Sequence, residues 1–413
     1  MAVLAVVTTV TATQRLVPNP YPTIQDGIDA AQPGDTVSVW GPEGVPPPYT
    51  YTENPVCTDK NIVIVNRSFL PDGGTGYDSS WDHVIIDGST QGRATFTVNR
   101  FASSGDVTIK GFTIASGNNA AGNGGGIDCQ DANISIIKNN IHSNLARNGG
   151  GISIAGMGCS RATISDNRVA HNSAAANGGG MYLSSVSPVG TFEVRGNHVD
   201  TNSLTGPEAS GGGIHTNAWP GPMRNNVICG NDAAGVHSVG NSNTVQLDLG
   251  TAGDPGLNVL MHSAHKELVM VSDADEDLTV GNCWGTLDAN ELVFKMLYQN
   301  LNPGAVLHID PISASSRWFE LANGRTWDCH DSVIFTGDFR ISDGGILVLA
   351  PGTVMEFTLD PDTSLPNGDP ERCDLFVTAP GSRLLAVGTP DDRIVFRSRR
   401  PPDPGKPGDW YGI

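Results

Sequence analysis

The chain has 413 residues, enough for one large domain or two to three ordinary ones. Its 51 Gly and 27 Pro, with only 6% aromatic and 16% charged residues, suit many short strands joined by tight turns and argue against a helical protein. Against 43 Asp+Glu stand 24 Lys+Arg, a formal net charge of -19 that repels nucleic acid and anionic lipid, because phosphate binding needs clustered cations.

From the start of the chain, MAVLAVVTTVTA is apolar and ends in small residues, too short to span a bilayer and without a basic lead. It reads as the tail of a secretory signal peptide, with a lead-in to residue 17; the bland alternative is a first β-strand capping the fold. No other segment approaches transmembrane length. The seven cysteines, Cys57, Cys129, Cys159, Cys229, Cys283, Cys329 and Cys373, are scattered without a CxxC pair, which argues against a zinc ribbon or a redox motif. Cys129 falls at an inward strand position, where a thiol packs as a small hydrophobe.

A repeat then organises the chain. Anchors at Phe112, Asn139, Asn167, Asn197 and Asn226 recur at steps of about 27 to 30 residues. Two residues after each comes Ile114, Ile141, Val169, Val199 or Ile228. Five residues after comes Gly117, Asn144, Asn172, Asn202 or Asn231. Three residues before sits Ile109, Ile136, Ile164, Val194 or Met223. Gly tracts at 124–126, 149–151, 178–180 and 211–213, reduced to Gly235 in the fifth turn, open the next strand. Each repeat is too small to bury its own apolar side, so turns stack and share one core. Period-2 alternation sends Ile and Val inward. Asn tolerates a left-handed bend and bonds to its own kind one turn away. Repeat length varies mainly between the second Asn column and the Gly tract, so insertions collect along one edge, over loops 117–124 and 202–211.

With those residues in place, the chain resembles secreted right-handed parallel β-helix proteins of the pectate-lyase-like superfamily. YPTIQDGIDAAQPGDTVSVW followed by YTYTENPV resembles that group's opening, where a short helix caps the core. The resemblance implies that Thr23 starts this helix and that Ile24, Ile28 and Ala31 cover the first rung. HVIIDG and VTIKGFTI resemble the following rungs. LDLGTAGDPGLN and GNCWGTLDANELVFKMLYQ resemble the last rungs and a terminating helix near 286–299, with Trp284 and Gly285 matching a recurring Trp-Gly. Cys283 departs from the aromatic common there. The implied architecture is an all-β solenoid over 18–312, a linker at 313–330, and the start of a second β-helical segment over 331–413. GDFRISDGGILVLAPGTVMEF, GSRLLAVGTPDDRIVFRSRR and PGDWYGI carry that second segment, and the chain reads as truncated at Ile413. The superfamily hosts lyases, hydrolases, epimerases and non-catalytic surface proteins, so the resemblance speaks to fold and export more than to activity.

Three constellations could carry chemistry. The residues just after each Gly-tract strand opener, Asp128, Ser153, Tyr182, His215 and His237, should form an outward polar column able to grip a sugar chain or supply acid–base groups. His215 and His237 could share a metal. The bland reading is a solvated strip. A second outward column holds Lys110, Ile137, Ser165, Arg195 and Arg224; Arg195 and Arg224 could act as a lyase base or clamp carboxylates, with Asp166 and Glu193 the only acids near them in sequence. The run Asp273, Asp275, Glu276 and Asp277 could bind calcium but lacks the Gly and distal Glu of a calcium loop, so no cofactor is assigned. No Walker loop, Ser-His-Asp order or zinc helix motif appears. The expected function is a secreted or cell-surface protein binding a polysaccharide or cell-surface glycan. The alternatives are a polysaccharide lyase or glycoside hydrolase with His215, His237, Arg195 and Arg224 at its site, or a non-catalytic stalk or adhesin segment. Oligomeric state is left open.

Overall fold

The computed structural model describes residues 12–272 apart from 43, 70–82, 100–105, 185–190, 207–208, 218–220, 240–246, 251–253, 255 and 265; beyond 272 it describes Asn282 and a series of separate strands with some of their neighbours. The chain divides into two units, residues 1–282 with 295–309, and residues 283–294 with 310–413.

The first unit is a parallel coil. One rung shows the path: Asn133–Ile137, Asn140–His142, Leu145–Asn148 and Ile152–Ala155. Stacked, the first strands make face A, eight parallel strands from Gln14–Val17 to Met223–Arg224. The second strands make face B, eight from Tyr49–Thr52 to Val259–Met261. The last make face C, nine from Val56–Thr58 to Met296–Asn300. Between faces B and C runs a four-stranded side sheet of Asn118–Asn123, Leu145–Asn148, Ser173–Asn177 and Ser203–Leu204. The variable loops of the sequence repeat are therefore partly strand.

The inward columns stack in register. Ile109, Ile136, Ile164, Val194 and Met223 are fully buried, as are Ile114, Ile141, Val169, Val199 and Ile228. The open end is covered by a helix, Ile24–Ala30, whose N-cap Thr23 accepts from the Asp26 amide while the Asp26 carboxylate accepts from the Thr23 amide. Ile24, Ile28 and Ala31 lie in the core, as the resemblance implied.

Two Asn ladders hold the corners. At the turn from A to B, Nδ2 of Asn139, Asn167, Asn197, Asn226 and Asn258 each donates to Oδ1 of the Asn one rung on, ending at Asn282. At the exit from B the ladder is Asn144, Asn172, Asn202 and Asn231. The left-handed residue at each first corner is not the Asn, as the sequence reading had it, but the residue before it: Gly111, Lys138, Asp166, Gly196, Asn225 and Leu257. That residue turns the chain, which leaves the Asn side chain aimed inward at the ladder.

Three further expectations change. Gln14–Val17, within the proposed lead-in, is the first strand of face A and pairs in parallel with Thr36–Val39; residues 1–11 lie outside the described residues. Met296–Asn300 pairs with Leu268–Ser272 as a strand, so the expected helix near 286–299 does not reach there; Cys283, Trp284 and Gly285 lie outside the described residues. The expected linker 313–330 contains strands Trp318–Leu321 and Thr326–Cys329. Both begin parallel stacks in the second unit, because their β-rich sequences find partners one turn later. Trp318–Leu321 stacks with Asp338–Ile341 and Leu375–Val377, and Thr326–Cys329 with Ile346–Leu349 and Arg383–Ala386. A third stack joins Val333–Phe335, Val354–Phe357 and Val395–Arg400.

Candidate functional site

Face C aligns the first expected column. Asp128 pairs with Ser153, Ser153 with Tyr182, Tyr182 with His215 and His215 with His237, each one rung further along. The Gly tracts make this entry possible: Gly124, Gly149, Gly178 and Gly211 have positive φ, and a Cβ on Gly125 would meet the Gly150 carbonyl at 2.3 Å. The Tyr182 and His215 rings stack with centroids 5.5 Å apart at 23°, and the His215 and His237 centroids are 5.2 Å apart. Three successive rungs thus carry three adjoining rings.

The column does not face open solvent throughout. Ser153 is 0% exposed, Asp128 7% and His215 7%, while Tyr182 and His237 are part-exposed. Strand alternation places these residues on the outer side of face C, but whether anything covers that side depends on loops the period does not encode. Asp128 Oδ1 and Ser153 Oγ are buried without a hydrogen-bond partner, and Gln130 Nε2 donates to Asp128 Oδ2 at 3.2 Å. Burial, only partly opposed by the Gln130 contact, pushes the Asp128 carboxyl up to about 7. Burial, and then the neighbouring His237, push His215 down to about 4; burial also lowers His237.

The sequence model of the family described as "Right handed beta helix region" matches residues 77–252, the stretch carrying the column, the second Asn ladder and the first as far as Asn226. The described residues of that stretch form the right-handed β-helix the match implies. The match agrees with the resemblance to the pectate-lyase-like superfamily. No curated protein and no solved structure matches the chain. The β-helix fold points to a carbohydrate-related or extracellular protein and no further. Among the described residues, no helix is long and apolar enough to cross a membrane.

The second expected column is also in register on face A of the β-helix: Lys110, Ile137, Ser165, Arg195 and Arg224. Its arginines do not join the histidines, since Arg195 and Arg224 belong to face A and His215 and His237 to face C. Arg224 is buried and occupied: Nε bonds Asp254 Oδ2 at 3.0 Å, Nη2 bonds Asp248 Oδ1 at 2.8 Å, and Nη1 reaches the Met223 and Asp248 carbonyls. It is a clamp for the segment that follows, not a free base, because a desolvated guanidinium needs its donors filled. The sequence reading missed Asp248 and Asp254 because they lie beyond the last rung it registered. Arg195 is exposed and pairs with Glu193 at 2.6 Å.

The two most strongly shifted groups of the column are far apart. Asp128 and His215 stand three rungs apart, about 14 Å at the usual strand spacing, too far to flank one glycosidic bond. Among the described residues no group of three or more His, Cys, Asp and Glu is arranged to hold a metal, so His215 and His237 stand as a pair without a third such ligand. Asp273 and Asp275 lie outside the described residues, and Glu276–Leu278 is a strand.

One cluster escaped the sequence altogether. On face B of the β-helix, Cys229 Sγ lies 3.6 Å from His198 Nε2, which lies 3.3 Å from Asp200 Oδ2; Arg168 pairs with the same carboxylate at 3.3 Å. The outward neighbours of the Val199 and Ile228 column would have revealed it. One imidazole nitrogen meets both thiol and carboxylate, so this is a polar cluster and not a relay from acid through ring to nucleophile.

Proposed function

We propose that the β-helix belongs to an extracellular protein that binds a linear, neutral glycan laid along face C over Tyr182, His215 and His237. The observation that carries this is the run of three adjoining rings on successive rungs, part-exposed at Tyr182 and His237. The Tyr182 and His215 rings stack on one another along the stripe, so a glycan laid over it meets their edges, where the phenol oxygen and ring nitrogens take its hydroxyls. A rung spacing of about 4.8 Å is comparable to the length of one sugar unit, so a chain running along the axis meets the stripe in step. A neutral polymer suits the site because no free cation stands in the column and the chain carries a net charge of -19. Ser153 is fully covered, and Asp128, as covered as His215, brings no ring to the stripe.

The test is affinity electrophoresis of the protein in gels containing hydroxyethyl cellulose, galactomannan or polygalacturonate. Retardation by a neutral polymer and not by polygalacturonate is expected. Tyr182→Ala should weaken it about tenfold, the loss of roughly 1.4 kcal/mol. New reducing ends or an unsaturated product absorbing in the ultraviolet would instead make the protein a hydrolase or lyase. Absence of both retardation and cleavage would leave the scaffold reading, which the burial of Ser153 and Asp128 favours.

A further inference from the structure

The side sheet carries a third polar ladder that ends on a ring nitrogen of the stripe. Asn177 Nδ2 donates to Asn148 Oδ1 at 3.0 Å, and Asn148 Nδ2 donates to Asn123 Oδ1 at 2.8 Å. Ser210 Oγ donates to Asn177 Oδ1 at 2.8 Å and lies 3.0 Å from His215 Nδ1. Each amide has one donor end and one acceptor end, so the direction of the ladder propagates. Asn123 and Asn148 accept through oxygen; Asn177 therefore turns its oxygen to Ser210. A hydroxyl has a single hydrogen, and Ser210 gives it to Asn177. Towards His215 the Ser210 oxygen can only accept.

We infer that this ladder fixes His215 with its proton on Nδ1, so that Nε2 is a bare lone pair presented to a hydroxyl of the ligand, with Ser210 and Asn177 as positioning residues. The ligand part rests on the glycan-binding reading above; the tautomer does not. Nε2 makes no hydrogen bond to any described residue. The ring is neutral across the ordinary pH range, since its proton affinity is lowered by burial, so it carries one proton and the choice of nitrogen decides what the site accepts. A bare Nε2 receives a hydroxyl donor and repels a carboxylate at the same rung. The ladder thereby selects a neutral sugar over a uronate without any charged residue. Ser210 is held independently of its side chain: its amide donates to the Ala176 carbonyl at 2.9 Å and its carbonyl accepts from Gly178 at 3.0 Å. Removing the hydroxyl therefore leaves the backbone in place.

The experiment uses the full chain labelled with nitrogen-15 histidine. Long-range proton–nitrogen correlation gives the tautomer, and the His215→Gln spectrum assigns the signal. The expected result is a pyrrole-type Nδ1 and a pyridine-type Nε2 for His215. Ser210→Ala should convert this to a mixture or to the other tautomer and lower retardation in the hydroxyethyl cellulose or galactomannan gel about tenfold, one hydrogen bond's worth. Ser210→Thr, which keeps the hydroxyl, should restore both. A pyrrole-type Nε2 in the unmodified protein, or a tautomer indifferent to Ser210→Ala, would overturn the inference. The stated tautomer with no retardation by either neutral polymer would overturn the ligand assignment alone and with it the glycan reading.

Discussion

The β-helix buries two kinds of polar stack, and they are built on opposite principles. The corner ladder from Asn139 to Asn282 repeats one residue type at every rung. Each carboxamide donates forward and accepts from behind, so the buried groups satisfy one another. The face C column changes from Asp to Ser to Tyr to His, and neighbours of different length and valence cannot pair in this way. It leaves Asp128 Oδ1 and Ser153 Oγ unpartnered and moves the proton affinities of Asp128 and His215 in opposite directions. Repetition gives stability; variation gives a chemically uneven stripe.

The largest effect should come from breaking the repeated stack. Asn197 Nδ2 serves the Ile164 and Arg195 carbonyls and Asn226, and its Oδ1 receives the Asn167 amide and side chain. Asn197→Ala orphans several buried groups at once and should cost about 4 kcal/mol in urea unfolding. A loss under about 1 kcal/mol would mean that the ladder is ornament.

The column is sharpened by pH. Asp128 has its proton affinity raised from 3.8 to about 7, so the folded state holds more protons than the unfolded state and stability falls as pH rises through that window. His215 is lowered from 6.5 to about 4, so the folded state holds fewer protons and stability rises with pH between those values. Each effect is on the order of 3 kcal/mol and the two nearly cancel from about pH 4 to 6.5. The native chain should therefore show a weaker pH dependence of its unfolding midpoint there than either single variant. Asp128→Asn should unmask a rise with pH, and His215→Gln a fall. Two parallel, flat profiles in the variants would remove the uneven electrostatics on which the comparison depends.

The smallest effect is the reverse of the first. Ser153→Ala deletes a fully covered hydroxyl that has no partner, so it should leave stability unchanged or raise it by up to about 1 kcal/mol. Removing a polar side chain from one stack is thus expected to be damaging, and from the other harmless.

The same contrast explains what could be read from sequence. The aliphatic columns, the Asn ladders and the registers of both outward columns were legible because each repeats at a nearly constant step, and the step is set by the stacking itself. Even the order Asp128, Ser153, Tyr182, His215, His237 follows from it. Burial of Asp128 and Ser153 was not legible, because outward alternation says nothing of what lies over the outer side. Arg224 read as a free cation because Asp248 and Asp254 belong to a segment outside the counted rungs. The contact of Cys229 with His198 went unnoticed because it joins unlike residues across a lengthened loop. Ser210 was hidden for a similar reason: the insertion before it broke the Asn pattern of its own ladder, which passes from Asn177 to a serine.

The direction of the corner ladder also bears on how the coil assembles. Each Asn from Asn139 to Asn258 offers its side-chain amide towards the next rung, the one made later in synthesis. A growing end always displays an unmet donor, fixed in position by the rung beneath. Such an end is a template: it recruits the following strand in the correct register and rejects one that arrives a residue out of step. The coil can therefore zip up from its amino-terminal cap as the chain emerges, each turn proofreading the next.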